Sequence, residues 1–256
     1  MTSSEEKLYD DDKFTRILDL VTKIKTLFES PFWHDEMQQN YKRMLADRQV
    51  VRSLEIGTSW WVNLLPAVLE KDAEVTAINL SSREIERHRE MFAFEVKRYN
   101  VEFVKMDANE LSFNGKTFDF IFGGAIVHHL DHEKFLNGLE KTLENNGIAI
   151  FREPWDGNVL FKLYRFLTPW AHTDEEAALN SNFFDLLDKR FEYTTSSEQL
   201  LTVFTQPFLS VFGLWHRNPV TYLTFKFDKF LLDKYPALSN YARIKNIYVE
   251  KKGCSA

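Results

Sequence analysis

The chain has a single cysteine, Cys254, close to its C-terminal end. An internal disulfide is therefore excluded, nothing points to an oxidising compartment, and the cytoplasm is the expected location. Long apolar runs are missing as well. No stretch reaches the length needed to cross a bilayer, and the opening Met1-Thr-Ser-Ser-Glu-Glu6 lacks the basic start and apolar segment of a signal peptide, so no membrane partner is expected. An excess of basic charge is also absent. The formal net charge is -6, whereas a non-specific grip on nucleic acid needs a concentrated basic face that displaces counterions. Glu84-Ile-Glu-Arg-His-Arg-Glu90 mixes both signs, as a solvated helix face does, so no nucleic-acid partner is expected. Repeats, low-complexity tracts and an interdomain linker are lacking too.

Apolar and aromatic residues in two periodicities make up the rest. Residues 1–47 read as a helical cap, first through Phe14, Ile17, Leu18, Val21, Ile24 and Leu27, then, after Pro31, through Phe32, Trp33, Met37, Tyr41, Met44 and Leu45. From residue 48 onward short β-rich runs alternate with helical ones. Strands are expected at Val50–Ile56, Val75–Asn79, Val101–Lys105, Phe118–Phe122 and Ile148–Arg152. Helices are expected at Val62–Leu69, Ser82–Val96 and His132–Leu143. Such alternation needs crossover connections and implies an α/β fold, a doubly wound, mostly parallel sheet with helices on both faces. A helical insertion near Asn158–Lys189, an apolar run at Phe208–Leu214, a helix from Pro219 to Tyr235 and a strand at Ala242–Val249 follow. Two late strands would complete seven with an antiparallel edge.

Ligands of such sheets bind at the carboxyl ends of the strands, and Glu55, Gly57, Asn79, Asp107, Gly123 and Glu153 all fall there. The ordered set Ser53-Leu-Glu-Ile-Gly-Thr-Ser59, Val75-Thr-Ala-Ile-Asn-Leu-Ser81, Val101-Glu-Phe-Val-Lys-Met-Asp107 and Phe118-Asp-Phe-Ile-Phe-Gly-Gly124 resembles the class I S-adenosylmethionine-dependent methyltransferases over residues 48–153. The segment from Glu153-Pro-Trp-Asp to Thr168-Pro169 is similar to the one after the fifth strand in bacterial small-molecule methyltransferases. The resemblance implies a Rossmann-like fold and S-adenosyl-L-methionine as cofactor.

In that family the first strand ends in an acid followed by alternating glycines; Glu55 and Gly57 match, while Ser59 and Trp61 stand at the next two glycine positions. Asn79, followed by Leu80, takes the place of the acid that holds the ribose. An amide there can accept one hydroxyl and donate to the other, or the side chain can serve the start of the next helix, a task open to Ser81 as well. A nicotinamide site ranks lower, because the glycine fingerprint for a pyrophosphate is missing. Asp107 matches the acid that bonds the adenine amino group, with Met106 and Ala108 beside the ring, or it is a plain loop aspartate. Gly124 and Ala125 would bring the backbone close to the sulfonium end. Asp119 reads as structural.

For catalysis the candidates are His128, His129 and Glu153. An imidazole at the mouth of the crevice can orient or deprotonate an acceptor near neutral pH; the family resemblance implies His129 as the cofactor-side residue, with His128 as the alternative. Glu153 at the end of the fifth strand can take a proton or stabilise a developing cation, or it can bond a lid residue or Arg152. No metal is expected, since His128, His129 and His132 have no cysteine partners. Trp33, Tyr41, Trp155 and Tyr164 are candidates for contact with a flat or apolar acceptor. Together these readings predict methyl transfer to an O, N or C nucleophile of a small, apolar or aromatic metabolite by a monomer or homodimer. A degenerate cofactor-binding regulatory or scaffold protein, or an S-adenosylmethionine-binding cyclase, are the alternatives.

Overall fold

The computed structural model describes residues 30–58, 68, 71–155, 157–158, 162–163, 179, 181–214 and 217–253. Seven described helices accompany a seven-stranded sheet, and the first of them, α1 (Pro31–Ala46), starts on a proline whose missing N–H no helical bond requires. Trp33, Met37, Tyr41 and Leu45, four residues apart, form its buried stripe. Strands β1 (Arg52–Ile56), β2 (Glu74–Asn79), β3 (Val101–Lys105), β4 (Phe118–Gly124) and β5 (Leu143–Pro154) run parallel. Helices α2 (Ser82–Met91) and α3 (Ala93–Arg98) lie between β2 and β3, and α4 (His132–Thr142) connects β4 to β5. Then come α5 (Ser181–Arg190), β6 (Phe191–Glu198), α6 (Thr202–Val211), α7 (Pro219–Lys234) and β7 (Ile244–Lys251).

The strand order is β3-β2-β1-β4-β5-β7-β6, with β7 antiparallel to both neighbours. Chain direction across the sheet reverses between β1 and β4, and the diverging connections open a crevice at that point. One face packs under α4 and α5 through Leu54, Ile121, Phe135, Leu139, Phe151 and Phe183. The other packs under α1 through Tyr41, Phe120, Phe122 and Ile150. Because side chains alternate along a strand, Phe151 and Glu153 share the α4 face while Ile150 and Arg152 share the α1 face.

Two expectations need correction. The late strand pair is β6 and β7, and the apolar run Phe208–Leu214 forms the end of α6 and the turn after it. Strand β6 has no apolar signature because it is an edge strand whose centre, Glu192–Ser197, is mostly polar and exposed. The expected helix Ser82–Val96 is interrupted at Phe92, which ends α2. Helical readings at residues 14–27, at Val62–Leu69 save Val68, and through most of the insertion before Ser181 lie outside the described residues.

Candidate active site

The turn after β1 is built from two residues in the left-handed region, Gly57 at φ 100° and Thr58 at φ 52°. The first is a conformation a side chain resists, which is why glycine stands there; the second is held by contacts. Asn79 Nδ2 donates to the Gly57 carbonyl at 3.0 Å and to Thr58 Oγ1 at 2.9 Å, and Thr58 Oγ1 also meets His88 Nδ1 at 3.2 Å. Asn79 Oδ1 accepts the Ser81 amide at 2.9 Å. Both amide hydrogens of Asn79 are therefore engaged. It can still accept a hydroxyl through Oδ1, but the donating half of the expected ribose contact is not available. Capping of α2 falls to Ser81, whose hydroxyl accepts the Glu84 amide at 3.2 Å. Thr58 and His88 carry this turn and were not legible beforehand, since nothing local marks a histidine on α2 as a partner of the β1 loop. Glu55 is buried one residue before the end of β1, and Leu80 is half-buried beyond Asn79.

The next strand end is tied to this one. Met106 N donates to the Asn79 carbonyl at 3.0 Å, so β3 releases its chain directly beside the β1–β2 turns. Asp107 Oδ1 accepts the Asn109 amide at 2.9 Å and starts a short 3-10 turn, Ala108–Glu110. Ala108 is buried against the α4 face while Met106 and Asp107 are half-buried. A cleft of about 490 Å³ opens here, lined by Asp107, Asn109, Glu110, His129, His132 and Leu186 among others.

Beyond β4 the chain turns through Gly124 and Ala125, the latter at φ 53°, and enters a 3-10 turn at Val127–His129. The Ile126 side chain lies 3.6 Å from the point where a Cβ on Gly57 would sit, which places the β4 turn against the β1 turn. A Cβ on Gly123 would fall 2.8 Å from the same isoleucine, so glycine is needed there for space. Glu153 fastens this turn. Its Oε1 accepts the amides of Ile126 and Val127, each at 2.9 Å, and its Oε2 meets His128 Nδ1 at 2.7 Å. With 0% exposure the carboxyl is desolvated, which pushes its pKa up to about 7 although the amides of Val127 and Ile126 pull it down.

Glu153 and His128 are therefore buried against one another and turned to the backbone after β4, with neither among the residues lining the cleft. His129 is half-buried, its ring centroid 4.1 Å from that of His128, and it lines the cleft with Asp107. Arg152 does not pair with Glu153; it points to the α1 face and bonds Glu198 at 3.0 Å. Asp119 is structural, accepting the amides of Val51 and Arg52 at 2.9 and 2.8 Å.

The aromatic candidates are placed differently from expectation. Trp33 and Tyr41 belong to the buried stripe of α1, Trp33 bonding Thr202 Oγ1 and Asp228 through Nε1, each at 3.2 Å, and Tyr41 lying edge-on to Phe122. Trp155 is half-buried at the end of β5, with Lys245 Nζ 3.7 Å from its ring centroid and its Nε1 donating to the Asn240 carbonyl. None of the three lines the cleft. Their size and amphipathic spacing are explained by packing. Ser59 and Tyr164 lie outside the described residues. Among the described residues no three His, Cys, Asp or Glu side chains are grouped to hold a metal ion.

Residues 54–151 match the family model of a methyltransferase domain. The sequence finds no match among the curated proteins. Among solved structures, the chain is similar to the plantazolicin methyltransferase BpumL in complex with S-adenosylhomocysteine, with TM-score 0.57 and 16% identity over 96% of this chain and 93% of that one. It is similar to the N-methyltransferase NodS from Bradyrhizobium japonicum WM9, with TM-score 0.52 and 15% identity over 87% and 89% of the two chains. It is also similar to phosphoethanolamine N-methyltransferase 2 of Haemonchus contortus, with TM-score 0.56 and 17% identity over 83% of this chain and 52% of that one.

Proposed function

We propose that this chain, whose residues 54–151 match the model of a methyltransferase domain, is a class I S-adenosylmethionine-dependent enzyme that methylates an O, N or C nucleophile of a small metabolite in the cytoplasm. The observation that carries the proposal is the convergence of the β1, β2, β3 and β4 ends through Asn79–Gly57, Met106–Asn79 and Ile126–Gly57 contacts, with Asp107 and His129 on one cleft.

These residues fit the cofactor. Gly57 and Ala125 give two turns in which the backbone can come close, Asn79 Oδ1 has a lone pair for a ribose hydroxyl, and Asp107 offers a carboxylate to an exocyclic amine. When bound, S-adenosylmethionine supplies an already activated methyl group. The chain itself aligns the acceptor, and positioning dominates the rate. Glu153 and His128 hold the Val127–His129 turn, and that turn sets where the His129 imidazole stands to take a proton from an acceptor.

Titration calorimetry with S-adenosylhomocysteine tests the reading. One site per chain is expected, weakened in Asp107→Ala and little changed in His129→Ala. Absence of heat at high ligand concentration would remove the proposal. Product mass separates methyl transfer from a cyclisation.

A further inference from the structure

Helices α6 and α7 pack on one another and turn apolar faces outward. In α6 the buried residues are Thr202, Val203, Gln206 and Leu209. At about 100° per residue, Phe204, Phe208, Val211 and the following Phe212 fall on the opposite side, and they are exposed, Phe208 at 65% and Val211 at 82%. No residue of α6 is charged. The same division holds in α7, where Thr221, Phe225 and Asp228 are buried while Val220, Leu223, Phe227 and Phe230 are exposed on the far side, Leu223 at 65%. Folded monomers rarely expose so many large apolar side chains together, and none of these stabilises the core.

Two lysines stand beside the patch. Lys226 Nζ stands 5.5 Å from the Tyr222 ring centroid, and Lys234 Nζ stands 5.3 Å from Phe230 and 5.6 Å from Tyr235. Their apolar stems run along aromatic rings and their ammonium groups end at its border, the arrangement of lysines that snorkel at a lipid interface. The acids of α7 are Asp233, which is exposed, and Asp228, which is buried on Trp33 and Thr202. An anionic bilayer meets both features at once, burying the phenylalanines among acyl chains and pairing the lysines with headgroups.

We propose that the outer faces of α6 and α7 dock this protein on the surface of an anionic lipid bilayer. A spanning helix is not required, and among the described residues no helix is long and apolar enough to cross a membrane. Docking of this kind leaves no long apolar run in the sequence. The docking surface is independent of the methyltransferase reading.

Flotation of the full chain with vesicles of phosphatidylcholine alone, or phosphatidylcholine mixed equally with phosphatidylglycerol, tests the proposal. The expected result is binding to the mixed vesicles that weakens with salt. Lys226→Gln combined with Lys234→Gln should lower partitioning by about twenty-five-fold, near five-fold for each charge, and Phe208→Ser combined with Phe212→Ser should abolish it. These side chains are exposed, so far-ultraviolet circular dichroism should be unchanged. Failure to float with the mixed vesicles, equal binding by the variants, or a dimer in light scattering that the phenylalanine variant dissociates would each overturn it.

Discussion

Replacing Glu153 by glutamine isolates the buried carboxyl that fastens the turn after β4. When protonated, Glu153 can donate to a neutral His128 Nδ1; when ionised, it accepts from an Nδ1–H, and in both states Oε1 keeps the Ile126 and Val127 amides. Burial raises this carboxyl from its ordinary 4.5 to about 7. Between those values the folded chain keeps a proton that the unfolded chain has released. Its contribution to stability is therefore full below pH 4.5, falls as pH rises, and is gone above about 7. At about 1.4 kcal/mol per pH unit, the interval is worth about 3 kcal/mol. Glutamine keeps an oxygen for the two amides and presents an N–H to His128, as the protonated acid does, but it does not titrate. Urea unfolding followed by tryptophan fluorescence at pH 5, 6, 7 and 8 should show the wild type losing about 2.5 kcal/mol relative to Glu153→Gln across the series, the remainder being lost below pH 5. Other carboxylates contribute equally to both proteins and cancel in the difference. Parallel curves would refute the assignment of a buried, proton-retaining carboxyl at this position.

Asp107→Ala should weaken S-adenosylhomocysteine binding about ten-fold or more in calorimetry, by loss of a charged hydrogen-bond acceptor, while Glu153→Gln leaves affinity closer to wild type. Equal losses would contradict the separate roles. Gly57→Ala should lower stability by about 1–3 kcal/mol through backbone strain at φ 100°, read as a lower urea midpoint with an unchanged slope; the new methyl would sit 3.6 Å from Ile126, so a steric clash is not the cause. Asp228 accepts the amides of Leu200, Leu201 and Thr202, the Thr202 hydroxyl and the Trp33 indole. Asp228→Ala leaves those donors without their acceptor and should cost about 3–5 kcal/mol in the same unfolding assay; a loss below about 1 kcal/mol would show that the hub does not anchor α7 to α1 and α6.

Helical and strand periodicities, read along the chain, were enough to find β1 to β5, α1, α4 and the parallel order of the core, because each is an apolar pattern confined to one segment. They also placed Gly57, Asn79 and Asp107 at strand ends, since a ligand crevice in such a sheet follows from topology. What a local pattern does not hold is the direction of a side chain relative to a distant loop. Alternation put Phe151 and Glu153 on one face of β5, but only the assembled sheet showed that this face meets the turn after β4, where Glu153 bonds Ile126, Val127 and His128. Thr58 and His88, thirty residues apart, were joined in the same way. Trp33 and Tyr41 carried the composition of a binding pocket, and tertiary packing made them core. Edge strand β6 stayed hidden because its polar centre needs no apolar pattern once β7 supplies its hydrogen bonds. Local physics thus selected the elements and the fold, while the pairing of buried polar groups across the sheet was decided by three-dimensional contact alone.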